Sequence, residues 1–129
     1  MPLKLSLKPN EAVIVNGAVL RNGERRGSIL LENQARILRQ KDVIFPEDAT
    51  HYTENLYFAV MQMYLTGKVD GVLYDYVTGA LTTALAQSVE AEEKQQILAI
   101  SRTCAAGETY KALSLCRRLM KQSKVQDGG

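Results

Sequence analysis

Arginine and lysine side chains are concentrated in the first third of the chain. Between residues 1 and 44, eight Lys or Arg residues stand against four Asp or Glu residues, which leaves a net charge of +4. Guanidinium and ammonium groups bind phosphate through charge-assisted hydrogen bonds. Arg25 and Arg26 are adjacent and lie between Gly23 and Gly27, which predicts an exposed loop. This distribution favours a polyanion as the binding partner.

The charge changes sign along the chain, so the overall value of +2 conceals three blocks. Residues 45–100 carry a net charge of −6, and residues 101–129 return to +4. Seven cations of the first block are the candidates for contact with a polyanion: Lys4, Lys8, Arg21, Arg25, Arg26, Arg36 and Arg39. The alternative is that these side chains form the solvated face of an ordinary sheet.

Residues that could carry catalysis or bind a metal do not form a recognisable set. His51 is the single imidazole and has no acidic residue at an informative spacing, so we expect it to be structural or solvent-facing. Cys104 and Cys116 lack a C-x-x-C spacing, which favours buried thiols of a reduced cytosolic protein. We therefore predict no catalytic residue, no metal site and no cofactor, and a protein that is not an enzyme.

The cations lie on a predicted run of about five short strands. Residues 3–8 alternate between leucine and polar or charged residues, so one face of the first strand is apolar and the other is cationic. Asn16-Gly17 between two apolar runs predicts a two-residue type I′ hairpin. Further strands are predicted at residues 28–31 and within residues 35–41.

Helical periodicity replaces the strand pattern after Pro46. Apolar residues recur every three or four positions over residues 52–67, and again between residues 69 and 85. Ser88 is the predicted N-cap of a third helix, and Gly107 separates that helix from a fourth.

These patterns predict the α+β class, with a small N-terminal antiparallel sheet or barrel followed by a bundle of about four helices. We place the basic β-rich half at residues 1–44 and the helical half at residues 45–129, packed as one compact unit with a tail that frays from about residue 122. Apolar runs stay below the roughly 18 residues that cross a bilayer, and the amino terminus does not resemble a signal peptide. We expect a cytoplasmic protein with no membrane partner.

Six segments, taken in order, carry a resemblance to a known family. They are PLKLSLKP at residues 2–9, NGAV at 16–19, NGERRG at 22–27, LRQKD at 38–42, YFAVMQMYL at 57–65 and YKAL at 110–113. Together they closely resemble the FlbT family of flagellin post-transcriptional regulators, over nearly the whole chain. Where that family commonly has Lys-Pro-Gly-Glu, this sequence has an asparagine at position 10, which keeps a turn-forming residue.

FlbT-like proteins act on the 5′ untranslated leader of flagellin mRNA, often by promoting decay of the message and in opposition to the small protein FlaF. The resemblance therefore implies a regulator that binds this leader and controls the stability or translation of the message, either as a repressor, the family's usual role, or as an activator. The residues agree with this role, because exposed Arg and Lys on short strands can hold phosphates and meet unpaired bases, and the seven cations are therefore the candidate RNA contacts. The resemblance also implies a FlaF-like small protein as a partner, and the helical half could form a homo-oligomer.

A second hypothesis places the function in the helical half. Tyr57, Met61 and Tyr64 recur at helical spacing, and surfaces rich in methionine and tyrosine suit protein partners. The chain would then be an adaptor in flagellar assembly that receives a small helical partner without direct RNA contact. Reversal of charge at Arg25 and Arg26 separates the hypotheses, because it should abolish RNA binding and leave partner binding nearly intact.

Overall fold

The computed structural model describes residues 2–127, and it contains five strands followed by four helices. The strands are β1 (Leu3–Leu7), β2 (Ala12–Val15), β3 (Ala18–Arg21), β4 (Gly27–Leu31) and β5 (Ile37–Arg39). The helices are α1 (Tyr52–Thr66), α2 (Gly71–Gln87), α3 (Ala91–Ala105) and α4 (Thr109–Asp127). Two short 3-10 turns separate the groups, at Gln40–Asp42 and Pro46–Asp48. The predicted α+β class is confirmed.

The strands form two antiparallel sheets, and within residues 2–127 they do not close into a barrel. One sheet pairs β1 with β4, and the other has the order β3-β2-β5. β5 is shorter than the strand predicted within residues 35–41, because the chain enters a 3-10 turn at Gln40. The Gln40 side-chain oxygen accepts a hydrogen bond from the Ala12 amide at 2.7 Å, which holds this turn against β2.

The apolar faces of the strands form one small core. Leu5, Leu7 and Val13 are buried at its centre. The partly buried residues packed against them are Val15, Ile29, Leu31 and Ile37. The alternation predicted for β1 agrees with this burial at Leu5 and Leu7, while Lys4 is exposed on the other face. Leu3, at the start of the strand, is exposed.

Two tight turns follow the backbone requirements of their residues. Asn16 and Gly17 have φ values of +51° and +86° between the paired residues Val15 and Ala18, which confirms the type I′ hairpin. In the turn between β1 and β2, the Glu11 amide donates to the Lys8 carbonyl at 3.1 Å, and Asn10 has φ +62°. Proline followed by a residue with positive φ is the pattern of a type II turn.

The chain divides into two compact units. The strand unit extends through Val43 and includes Leu65–Gly67, whereas the helical unit contains Ile44–Tyr64 and the chain from Lys68 onward. Eight of the fifteen α1 residues are buried, so this helix is covered on more than one side. α3 and α4 contribute further fully buried residues, among them Ile100 and Leu113.

Two helix ends differ from the predictions. Ser88 is the C-cap residue of α2, and the N-cap of α3 is Glu90. The buried Ser88 forms hydrogen bonds at the C-terminal end of α2. Its hydroxyl donates to the Leu85 carbonyl at 3.1 Å, and its carbonyl accepts from Lys94 Nζ at 2.7 Å.

α4 includes most of the segment predicted as a tail, since the helix extends to Asp127, and fraying from about residue 122 stays a prediction. Gln122 Oε1 accepts a hydrogen bond from Gln96 Nε2 of α3 at 2.7 Å, and Ser123 is buried. These contacts hold α4 beyond residue 122. The last two residues of the predicted tail, Gly128 and Gly129, lie outside the described residues.

Candidate nucleic-acid interface

The Asn22 side chain joins the two loops at one end of the strand unit. Its amide nitrogen donates to the carbonyls of Lys8 (2.8 Å) and Arg25 (2.9 Å), and more weakly to that of Leu7 (3.2 Å). Asparagine amides commonly replace backbone partners in turns. The end of β1 and the loop between β3 and β4 are therefore held in one arrangement, which sets the backbone positions of Lys8 and Arg25.

Backbone hydrogen bonds reinforce this arrangement. The Asn10 amide donates to the Gly23 carbonyl, and the Asn22 amide donates to the Glu11 carbonyl, both at 2.8 Å. Arg21 Nη1 donates to the Asn10 carbonyl at 2.7 Å. The loops thus bring together four predicted RNA-contacting residues, which we call the basic end: Lys8, Arg21, Arg25 and Arg26.

All four residues of the basic end are exposed. The side chains of Arg25 and Arg26 make no hydrogen bond or ion pair with any of the described side chains or backbone, so their donors face solvent. Glu24 is the one acidic residue between Asn22 and Gly27. The arrangement is therefore a preorganised backbone that carries a local excess of positive charge, which suits contact with phosphate groups.

Arg39 lies beside the basic end, but its charge is matched. Its Nη2 atom lies 3.2 Å from Glu11 Oε2, and it also donates to the Ser6 carbonyl. Glu11 Oε1 in turn accepts the Lys8 amide at 2.8 Å. The Lys8 amide, and then the Arg39 guanidinium, lower the pKa of Glu11. Arg39 therefore braces this end of the unit, and its role in RNA contact stays a prediction.

The remaining two cations lie away from the basic end. Lys4 is exposed on the outer face of β1, where it pairs with the exposed Leu30 of β4. Arg36 is half-buried near the β2–β3 hairpin, where its amide donates to Asn16 Oδ1 at 2.8 Å. Arg36 Nε donates to the Leu65 carbonyl at 3.4 Å. Tertiary structure thus assembles four of the seven predicted residues into one group.

The predicted partner-binding residues are not on the surface. Tyr57 and Met61 are each 2% exposed, and Tyr64 is 6% exposed. The Tyr64 ring also packs against Tyr110 of α4, with 5.7 Å between ring centroids. These three side chains belong to the core of the helical unit because α1 is covered on a wide face, so the prediction of a docking surface at these residues is corrected.

α2 presents an exposed face of mostly uncharged residues that the sequence reasoning missed, with the exposed Asp75 at its border. We call it the outer α2 face, and it consists of Val72, Tyr76, Gly79, Thr83 and Ala86. Helical spacing places these residues on one side, opposite the buried Val77, Leu81 and Ala84. Val72 is 84% exposed and Tyr76 is 49% exposed. The sequence did contain an indication of this face, because Asp75 is the single charged residue of this 17-residue helix, whereas an exposed helix face normally carries several charges.

Comparison with known proteins places the chain in a family. A family model described as flagellar protein FlbT matches residues 3–124. The chain belongs to the FlbT family. The flagellum biosynthesis repressor protein FlbT of Caulobacter vibrioides is 41% identical over 121 residues, which cover 94% of this chain and 86% of the relative. A probable flagellum biosynthesis repressor protein FlbT of Rhodopseudomonas palustris is 31% identical over 124 residues, which cover 96% of each chain. No solved structure gives a significant match.

The resemblance noted from the six sequence segments is thereby confirmed. In this FlbT-family chain, both the basic end and the outer α2 face lie inside the matched region. His51 lies at the start of α1, where its Nδ1 atom accepts the Thr53 amide at 3.3 Å and lies 2.8 Å from Thr53 Oγ1. This contact agrees with a structural histidine that satisfies an amide at a helix start.

Neither a metal-binding group nor a membrane-spanning helix is present among the described residues of this FlbT-family chain. His, Cys, Asp and Glu side chains there do not form a group of three or more that could hold a metal ion. None of the described helices combines the length and the apolar composition needed to cross a membrane.

Proposed function

We propose that this FlbT-family protein regulates flagellin synthesis by binding the 5′ untranslated leader of flagellin mRNA and controlling the stability or translation of the message. Its relatives are named flagellum biosynthesis repressors, which supports repression as the outcome. The observation that carries the RNA-binding part is the basic end, where three exposed cations on two hydrogen-bonded loops lie with Arg21 at the end of β3.

Phosphate contacts by the basic end would make binding strongly dependent on salt. Each contact with single-stranded nucleic acid lowers the slope of log K against log salt by roughly 0.7, so four contacts give a slope of about −3. Because the loops are already held in place, little ordering of the backbone opposes binding. The affinity would then come from cations that are ready to meet the phosphates of an unpaired leader segment.

Regulation by this route needs occupancy of the leader and no chemistry by the chain itself. A bound protein can block access to the leader or recruit other factors to it. The cytoplasm is the compartment that goes with this proposal, since messages are translated and degraded there.

The test is a mobility titration of a labelled flagellin leader RNA over a salt series, beside an unrelated RNA of equal length. An Arg25→Gln/Arg26→Gln variant should bind the leader more weakly, with a salt slope reduced by roughly 1.4. The matched control is Arg102→Gln/Arg118→Gln, which neutralises two exposed arginines of α3 and α4 and should leave binding unchanged. A folded wild-type protein that does not bind the leader at low salt would overturn direct RNA binding.

The outer α2 face favours a second candidate function, in which the chain is an adaptor in flagellar assembly. We propose that a helix of a small FlaF-like protein docks on this face. Exposed helix faces normally carry several charges, whereas this one has Asp75 alone at its border and exposes Val72 and Tyr76 beside small residues, Gly79 and Ala86. Small residues let a partner helix approach closely, and the tyrosine supplies a rigid contact.

Titration calorimetry with a purified FlaF-type protein tests this second function. A Val72→Lys variant should lose affinity for the partner by tenfold or more, in the range of about 1.4 kcal/mol. Gln95→Lys adds the same charge at an exposed position of α3 and should bind as the wild type does. Equal binding by both variants would remove the outer α2 face as the docking site. Self-association of the protein alone, lost in Val72→Lys, would assign the face to a second copy instead.

A further inference from the structure

The strand unit contains a cavity that the basic end does not use. It has a volume of about 570 Å³ and lies around the loop that joins β4 to β5. Three apolar side chains contribute to its lining, namely Leu3, Leu31 and Ile37. Its polar and small lining residues are Asn16, Glu32, Asn33, Gln34, Ala35 and Arg36. Its volume falls in the range of cavities that hold small ligands, and its lining is more polar than that of most such cavities, which suits a polar ligand.

The polar residues of the cavity divide into two sets. Those of the first set, Asn16 and Arg36, already form hydrogen bonds within the protein. Asn16 Oδ1 accepts the Arg36 amide at 2.8 Å, and Arg36 Nε donates to the Leu65 carbonyl at 3.4 Å. The Arg36 guanidinium also lies against Gly67, so close that an added Cβ there would be 2.9 Å from Cζ. These contacts hold one wall of the cavity in place.

The second set consists of side chains whose polar atoms are available to a ligand. Glu32, Asn33 and Gln34 are exposed, and their side chains make no hydrogen bond among the described residues. Amide side chains pair with two neighbouring polar atoms on the edge of a nucleobase, and a carboxylate accepts from an exocyclic amino group. Unpaired RNA bases are recognised through these edges, with their faces on apolar or planar side chains.

We propose that this cavity holds one unstacked nucleobase of the bound RNA, with Asn33 and Gln34 contacting its edge and the apolar residues packing against its face. The assignment rests on the proposed function, and it adds a source of base preference to the phosphate contacts of the basic end. A base fits better than a phosphate, because the lining carries one carboxylate, Glu32, and one guanidinium, Arg36, and so has no net positive charge to attract a second anion.

The geometry of β1 relates the cavity to the basic end. Leu3 lines the cavity, while Leu7 is at the opposite end of the strand, directly before Lys8. Four residue steps of an extended strand span roughly 13 Å. A short single-stranded segment could therefore place a phosphate at the basic end and a base in the cavity. Lys4, which follows Leu3, lies between them along the strand.

Anisotropy titration with three labelled nine-nucleotide homopolymers, of adenylate, cytidylate and uridylate, tests the assignment. The wild type should prefer one of the three, and Asn33→Ala/Gln34→Ala should reduce that preference at least roughly fivefold while the salt slope stays unchanged. Arg25→Gln/Arg26→Gln should instead weaken binding to all three oligonucleotides alike. Asn55→Ala/Gln87→Ala removes two exposed helical amides and should retain the wild-type preference.

The outcomes separate this assignment from the proposed function. Equal binding of the three oligonucleotides by the wild type, or an unchanged preference in Asn33→Ala/Gln34→Ala, would overturn the cavity assignment and leave RNA binding in place. Failure of the wild type to bind any of them, and the flagellin leader as well, would overturn the proposed function and the cavity assignment with it. Shifts of the Asn33 and Gln34 side-chain amide signals on addition of the preferred free nucleoside would support the cavity directly.

Discussion

Arg39 and Glu11 form an ion pair that braces one end of the strand unit. One guanidinium nitrogen of Arg39 reaches both carboxylate oxygens of Glu11, at 3.2 and 3.3 Å. The same nitrogen donates to the Ser6 carbonyl, and Glu11 accepts the Lys8 amide. A cation that the sequence placed among the RNA contacts thus connects β5 to β1 and to the first turn.

Replacement of Glu11 by glutamine should remove part of the acid sensitivity of the protein. The Lys8 amide and the Arg39 guanidinium hold the pKa of Glu11 below its ordinary value of 4.5. A carboxyl group with a lowered pKa stabilises the fold above its ordinary value, and this contribution is lost as the pH falls through the folded-state value. Wild-type stability should therefore decrease below about pH 4.5, and Glu11→Gln should decrease less.

Urea unfolding at neutral pH and at a series of acidic pH values measures this effect. Glu24→Gln is the matched control, because Glu24 is an exposed carboxylate of the neighbouring loop. Identical pH profiles for wild type and Glu11→Gln would contradict a role of the ion pair in acid stability.

The turn at Asn10 should tolerate glycine and reject a β-branched residue. Asn10 has φ +62°, a left-handed conformation that glycine adopts freely and asparagine tolerates. We expect Asn10→Gly to change the free energy of unfolding by less than about 1 kcal/mol, and Asn10→Val to lower it by about 1–2 kcal/mol. Denaturant unfolding of the two variants provides the comparison, and a Val variant as stable as the Gly variant would exclude the turn requirement.

Two glycines should respond to alanine in opposite directions. Gly67 has φ +73°, and an added Cβ would meet the Arg36 guanidinium at 2.9 Å. Gly79 lies inside α2 with open space around it. We expect Gly67→Ala to destabilise by about 1–2 kcal/mol and to displace Arg36, and Gly79→Ala to stabilise by about 0.5–1 kcal/mol. Thermal unfolding of the two variants should shift in opposite directions, and equal shifts would contradict the backbone explanation.

The two thiols should be protected from alkylation and exchange. Burial raises the pKa of Cys104 from 9.0 to about 11. Burial also raises the pKa of Cys116 well above 9.0, with Cys104 adding to the effect. At about pH 8 the thiolate fraction of Cys104 is lowered roughly 100-fold, and the thiolate is the reactive form. Reaction with a disulfide reagent should be slow in the native protein and fast in urea.

A reaction rate in the native protein equal to the rate in urea would show that the thiols are accessible.

The raised pKa of Cys104 also predicts a loss of stability at high pH. A group with a raised pKa stabilises the fold below its ordinary value, so this contribution is lost as the pH rises from 9.0 towards about 11. Cys104→Ala should weaken this alkaline loss.

Local structure was largely decided by the sequence itself. Asn16-Gly17 can form a type I′ turn with few alternatives, and the alternation of leucines in β1 permits one buried face. The strand and helix classes, and the basic character of the first third, follow from periodicity and composition. These properties depend on residues that are close together in the sequence, so they can be predicted from the sequence alone.

Only the tertiary structure decided which residues are available for binding. Tyr57 is in the core while Val72 is exposed, although both belong to apolar helical stripes. Arg39 is paired with Glu11, whereas Arg25 is exposed, although both are arginines of the same basic segment. Burial and ion pairing arise from groups that are distant in the chain, and periodicity along one element does not specify which of its faces another element covers.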